Sequence, residues 1–360
     1  MRVFLLCLSL AGLTCMAQEQ EQPPPLPELP SYPAATELTA RSSGEVYFSS
    51  VTPGDYKWLV LPDQALPATT VKARLFLPAD ASAIKPVPAM IILHGSGGIL
   101  PSREIAYGEW MASHGIAGLV VNSYAARGVT EDTPYALRVA IVSDADEVAD
   151  AYSALKFLNQ HPAINSKKIG VMGFSYGGMA TRAALDNRIY QNLAANVAPF
   201  ALHLDYYGPC HFDLQTIKTT GAPLFSLRGA QDKSNDLEAC ARVENRLRDA
   251  GSDIGSTIFP TAGHAWEMDS TKQFVATLNP APCHQVLMKN GDWQLDGNTI
   301  AVPALTGRQQ KYQFRLGLLG QMKQTCMSEG YIMGEDEQTH KLSNLLLSQY
   351  TTAYLLNEKE

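Results

Sequence analysis

Basic blocks are missing from this 360-residue chain. Lysine and arginine number 28 against 35 aspartates and glutamates, a net charge of −7, and nowhere do the cations cluster. Binding a phosphate backbone needs a basic surface, so nucleic acid is excluded as a partner. Beyond the N-terminus no apolar run reaches the roughly 20 residues that a spanning helix needs, so stable membrane insertion is not expected. Only six cysteines are present, and none sits in a CxxC or CxxH cluster, so no metal site is expected and no cofactor is implied. Internal repeats and inter-domain linkers are absent as well. What is there is an ordinary globular composition, 46% hydrophobic and 18% charged, long enough to bury a large core.

The N-terminus has the layout of an export signal. Arg2 precedes the apolar run VFLLCLSLAGL (3–13), and TCMA (14–17) supplies a small-residue cleavage site. Cleavage after Ala17 is expected, giving a periplasmic or secreted protein; lipid modification at Cys15 is the alternative. Residues 18–40, with EQEQPPPLPELPSYP (19–33), read as a proline-rich spacer or surface arm, and 41–360 as one domain. In an oxidising compartment the remaining Cys210, Cys240, Cys283 and Cys326 are expected to pair. Cys210–Cys240 and Cys283–Cys326 are favoured, because each would staple one neighbourhood of the chain; free buried thiols are the alternative.

EVYFSS (45–50) and VKARLFLP (71–78) read as an antiparallel lead-in. From residue 87 short apolar runs alternate with longer helical segments. The runs are VPAMIILHG (87–95), IAGLVVNSY (116–124), KKIGVMGF (167–174), ALHLDYYG (201–208), APLFSLRG (222–229) and STIFP (256–260). Helices are expected over 103–115, 144–160, 176–188 and 235–251. In the second, Val148, Tyr152, Leu155 and Leu158 recur at helical spacing and define an apolar face. Near-continuous apolar strands between amphipathic helices predict an α/β fold, a mostly parallel sheet covered on both faces. In such sheets ligands sit beyond the carboxyl ends of the strands. Residues 281–299 read as an inserted loop or hairpin, and 340–356 as a closing helix.

The stretch GFSYGG places Ser175 where the strand IGVMGF runs into the helix YGGMATRAAL. G-x-S-x-G in that context is a nucleophile elbow: a sharp turn that needs glycine at both flanks and thrusts the hydroxyl above the sheet. The hydroxyl needs a base, and the base an orienting carboxylate. RGAQD puts Asp232 in the loop after one strand, and PTAGHAW puts His264 in the loop after the next, so all three side chains fall on one sheet edge. Asp236, at an expected helix N-cap, and Asp205 are the alternative acids. An oxyanion needs two backbone donors: the N–H of Tyr176 at the helix N-terminus and that of Ser96 in HGSGG, with Gly97 as the alternative to Ser96. His94 is expected to fix this loop. His114 and His161 read as structural, and His203 with His211 as an unsupported metal pair. Tyr124, Tyr176 and Trp266 stand near strand ends, where aromatic side chains line a pocket or join the core.

Through HGSGG, NSYAARG, GFSYGG, RGAQD and PTAGHAW, roughly residues 70–265 resemble the dienelactone hydrolase family of the α/β-hydrolase superfamily. The resemblance implies an α/β-hydrolase fold with a mostly parallel central sheet. The name-giving members use a cysteine nucleophile where this chain has Ser175, and HGSGG has no counterpart of their carboxylate in the oxyanion region. Serine-bearing secreted relatives are similar to general esterases. Arg127 in YAARG matches an arginine often found near the site, implying either contact with a substrate carboxylate or a structural salt bridge.

The expectation is an exported serine hydrolase that cleaves small-molecule carboxylic esters through an acyl-enzyme, with Arg127, Trp266 and Tyr124 as substrate contacts. Lactone hydrolysis, amide or peptide hydrolysis and acyl transfer by the same three residues are the alternatives, and a non-catalytic binding scaffold is the rival from another class. The insertion at about 281–335 is either a lid or a brace held by Cys283–Cys326.

Overall fold

Seven consecutive buried residues, Val87–Leu93, form the centre of the sheet, and their alternation shows why both faces are covered. Ala89, Ile91 and Leu93 pack into one apolar cluster, Met90 and Ile92 into another on the opposite face. The computed structural model describes residues 24–33, 35–62, 64–304 and 307–357. The expected export signal, its cleavage site, Cys15 and the start of the proline-rich segment lie outside the described residues.

In chain order the strands are β1 (Gly44–Val51), β2 (Ala68–Phe76), β3 (Val87–Leu93), β4 (Ala117–Asn122), β5 (Ile164–Phe174), β6 (His203–Tyr206), β7 (Phe212–Asp213), β8 (Leu224–Gly229) and β9 (Ile254–Phe259). Eight of them build one sheet in the order β1-β2-β4-β3-β5-β6-β8-β9. The β1–β2 and β2–β4 pairings are antiparallel, and every pairing from β4 to β9 is parallel. The expected lead-in and all six expected apolar runs are therefore strands of this sheet.

The helices are α1 (Lys57–Val60), α2 (Ala106–Ser113), α3 (Tyr135–Ile141), α4 (Asp144–Leu158), α5 (Tyr176–Ala183), α6 (Asn187–Ala194), α7 (Leu237–Asp249), α8 (Arg308–Thr325) and α9 (Glu337–Thr351). Val148, Tyr152 and Leu155 of α4 join the cluster on the Ile91 face; Met111 of α2 and Leu347 of α9 join the other. Each such side chain contributes about 1.5–3 kcal/mol by leaving water. Ser143 and Asp146 cap α4 reciprocally, so its acidic first turn faces the positive end of the helix dipole. The segment expected as one helix over 176–188 is broken: α5 ends at Ala183, and Asp186 caps α6.

After β9 the chain adds β10 (Gln273–Asn279), β11 (Gln285–Leu287), β12 (Trp293–Leu295), β13 (Asn298–Ile300) and, beyond α8, β14 (Ser328–Met333). β10 pairs antiparallel with β14, and β11–β13 form a meander whose first strand, β11, pairs parallel with β7. Cys283 is bonded to Cys326, tying the start of β11 to the C-cap of α8. Cys210 is bonded to Cys240, tying the loop after β6 to α7. Both are the pairings favoured from the sequence.

Candidate active site

The turn between β5 and α5 is tight enough to require glycine. A side chain on Gly173 would collide with the carbonyl of Gly177, and one on Gly177 would lie 2.6 Å from the Leu93 carbonyl. Ser175 between them has φ 54° and ψ −107°, a conformation that costs an L residue about 1–3 kcal/mol. Two hydrogen bonds hold it there, Ser175 N–H to Tyr206 O at 2.8 Å and Met179 N–H to Ser175 O at 3.0 Å. The second is the first bond of the helical ladder, so the N–H groups of Tyr176, Gly177 and Gly178 lie outside that ladder.

Ser175, His264 and Asp232 are brought into one hydrogen-bonded chain. His264 Nε2 lies 2.9 Å from Ser175 Oγ, and His264 Nδ1 lies 2.7 Å from Asp232 Oδ2. Asp232 is buried and accepts three further bonds: from the Ser234 N–H at 2.9 Å, the Ser234 hydroxyl at 2.6 Å and Asn235 Nδ2 at 2.7 Å. Burial would raise its pKa, but the adjacent His264 and the bonds from His264 and Ser234 outweigh it and hold the carboxyl below the usual range. His264 is fixed through its backbone: its N–H donates to Ile332 O and its carbonyl accepts from the Gly334 N–H. Its ring stands edge-on between Tyr207 and Tyr331. β14, which lies far along the chain, thus sets the height of the imidazole.

The loop after β3 carries Ser96. Glu104 accepts from the N–H groups of Gly95 (3.4 Å) and Leu100 (2.8 Å), Tyr124 OH donates to Ser96 O at 2.9 Å, and Arg138 donates to Gly97 O at 2.7 Å. His94 is buried with Nδ1 2.8 Å from Gly95 O, and burial lowers its pKa, so it serves this loop as a neutral ring.

A cavity of about 650 Å³ opens over Ser175 and His264, with Ser96 and Tyr176 also in its wall. Arg127, Tyr124 and Trp266 do not line it, which corrects the expectation that they contact substrate. Arg127 is buried and spends its guanidinium on Asp150 at 2.7 and 3.1 Å and on the carbonyls of Ser123 and Val51. Trp266 is fully buried and donates to Ser343 Oγ at 3.1 Å, while Tyr124 braces the Ser96 loop from outside the cavity. The alternative acids are placed elsewhere: Asp236 caps α7, and Asp205 bridges Arg182 and Arg228 beneath the elbow. His203 Nδ1 donates to the carbonyl of Thr181 at 2.9 Å, and among the described residues no group of three or more histidine, cysteine, aspartate or glutamate side chains is placed to hold a metal ion.

Several site residues escaped the sequence reading. Ser234 and Asn235, directly after Asp232, carry a signal only as small polar residues in a loop. Tyr135, whose hydroxyl meets Ser96 Oγ at 2.7 Å, and the α8 wall carry no motif. Of residues 281–335, α8 contributes to the cavity wall, and Cys283–Cys326 ties its C-cap to the start of β11.

A parallel sheet covered on both faces, with a strained serine at a strand-to-helix turn, defines an α/β-hydrolase fold. The chain matches the dienelactone hydrolase family over residues 71–285, more than half its length, and belongs to that family. A curated Bradyrhizobium protein named probable 2-oxo-3-(5-oxofuran-2-ylidene)propanoate lactonase is 24% identical over 140 residues, 36% of this chain; the match spans 52%, about half, of that relative. Among solved structures, a Klebsiella pneumoniae protein named putative dienelactone hydrolase aligns with a TM-score of 0.43 at 19% identity, covering 62% of this chain and 88% of that one. A dienelactone hydrolase-like promiscuous phosphotriesterase from metagenomic libraries aligns with a TM-score of 0.46 at 16% identity, covering 62% and 84%.

Proposed function

We propose that the protein is an exported serine esterase with Ser175 as nucleophile, His264 as general base and Asp232 as the carboxylate that orients it. The observation that carries this reading is the continuous chain Ser175 Oγ–His264–Asp232 opening into the cavity. Ser175 Oγ attacks the ester carbonyl as His264 Nε2 takes its proton, and the buried Asp232 stabilises the resulting imidazolium. The N–H groups of Tyr176 and Ser96 receive the oxyanion. Collapse expels the alcohol, which takes the proton from His264 and leaves an acyl group on Ser175. Water, deprotonated by the same imidazole, then releases the acid and restores the serine. Export is supported by the two disulfides, which persist in oxidising compartments, and by the signal-like residues 1–17.

A lactone is an ester whose alcohol stays tethered to the acyl group, so the same steps open it; the name of the Bradyrhizobium relative favours including lactones among substrates tested. Ester hydrolysis by Ser175→Ala is expected to fall at least about 10⁴-fold below wild type with the fold intact. Turnover within about tenfold of wild type would refute the assignment.

A further inference from the structure

The family match ends at Gln285, yet much of the cavity wall lies beyond it. α8 contributes Leu316, Leu318, Leu319 and Met322, which face the cavity together with Leu137 of α3 and Leu278 of β10. Apart from Lys323, the acidic and basic residues that reach the cavity are engaged within the protein. Asp55 accepts from the Lys57 N–H at 2.8 Å and the Trp293 indole at 3.0 Å, and Asp144 accepts from Tyr56 OH at 2.9 Å. Arg315 donates to Val139 O at 2.6 Å and Tyr176 OH at 3.2 Å, and the field of Tyr176, Asp144, Asp146 and Asp55 favours its charged form. Lys323 is exposed to water. His211 stands in the wall as an uncharged ring, since burial lowers its pKa to about 3, and its Nδ1 is buried without a hydrogen-bond partner.

Two glycines interrupt α8, and neither is required by its surroundings. A Cβ built on Gly317 or Gly320 meets no atom within 4 Å beyond its chain neighbours and its own helix backbone, and neither residue has a positive φ. Gly320 lines the cavity, so the missing side chain leaves open space in the wall. A helix interior disfavours glycine, and what is gained at this position is room beside a set of leucine and methionine side chains.

We infer that α8 is the substrate-selecting wall of the enzyme: it takes esters that carry a bulky apolar group, which packs on Leu316, Leu319 and Met322 in the space beside Gly320. This rests on the esterase reading and adds the substrate class to it. The apolar group lies on the acyl or the alcohol side, and two substrate series separate them.

The test measures kcat/KM of the disulfide-bonded protein for p-nitrophenyl esters from acetate to decanoate, and for acetates of alcohols from methanol to 2-naphthylethanol. Wild type is expected to gain about tenfold or more from the smallest to the preferred member of one series. Gly320→Leu is expected to lower that preference ratio about tenfold, and Leu319→Ala to shift the optimum to a larger group. A wild type that favours acetate and methyl esters throughout, or a Gly320→Leu variant that lowers every substrate equally, would overturn the inference. Labelling of Ser175 by diisopropyl fluorophosphate, run alongside, separates the failures. Labelled protein with unchanged ratios sinks the α8 wall alone, whereas folded wild type with neither label nor turnover sinks the esterase reading and the wall with it.

Discussion

At Gly173, Gly177 and Gly263 a side chain would run into backbone carbonyls, whereas at Gly317 and Gly320 it would meet no neighbour within 4 Å. The first three stand where β5 turns into α5 and where the His264 loop presses on β14, with Ile332 O only 2.6 Å from a Cβ on Gly263. There glycine is the only residue that lets separate backbones approach closely enough to align Ser175 with His264. In α8 nothing forces the choice, and helix stability is given up for space. One residue type thus marks both a region built for fixed geometry and a region built for volume. The first belongs to the family fold and the second to the segment after it.

Substitutions can break this contrast. Gly173→Ala should cost both activity and stability, because the clash is with the backbone of Gly177 and with Thr181 Oγ1 at 2.8 Å, not with the far end of a long flexible side chain. Displacing the elbow should lower kcat/KM about 100-fold or more and cost about 1–3 kcal/mol in a urea titration. Near-wild-type activity would show that the turn has slack that the structure does not contain.

Asp232→Asn sharpens the account of the rigid region through pH. Turnover should drop about 10³–10⁴-fold, since an amide no longer holds the imidazole in the productive tautomer. The folded protein holds the Asp232 carboxyl below its ordinary pKa, so ionised Asp232 stabilises the fold at neutral pH. That contribution is present above the unfolded carboxylate value and is lost as pH falls through the folded one. The melting-temperature gap between wild type and Asp232→Asn should be widest near neutrality and close below about pH 4. A gap that widened on acidification would reverse the assigned direction.

Gly317→Ala should have the smallest effect and the opposite sign. With open space at its Cβ position and ordinary helical φ, alanine should stabilise the protein by up to about 1 kcal/mol in the same titration. Destabilisation would mean that α8 needs glycine at 317 as the elbow needs it at 173.

The same division decided what could be read from the sequence. Every strand of the parallel sheet was legible, since residues buried on both faces, such as Val87–Leu93, leave an unbroken apolar run. Ser175, Asp232 and His264 could be picked out because each stands in the turn or loop after one of these strands, on the same sheet edge. Both disulfide pairings followed from proximity along the chain. α8 was not legible: RQQKYQFRLGLLGQMKQT is polar at both ends and carries two glycines that read as breakers. Nor was the pairing of the His264 backbone with β14, because a contact between distant segments has no local signature. For Arg127 the sequence left a substrate carboxylate and a structural salt bridge both open, because a motif position says nothing about which carboxylate the guanidinium will find; it is bound to Asp150 on α4.

The measurement closest to the central claim is peptide mapping by mass spectrometry after treatment with a fluorophosphonate ester. The hydrogen-bonded chain predicts one stoichiometric adduct on Ser175, absent in His264→Ala and in Ser175→Ala, with both variants folded. Folded wild type that takes no adduct, or takes it equally well without His264, would contradict an activated serine at this site.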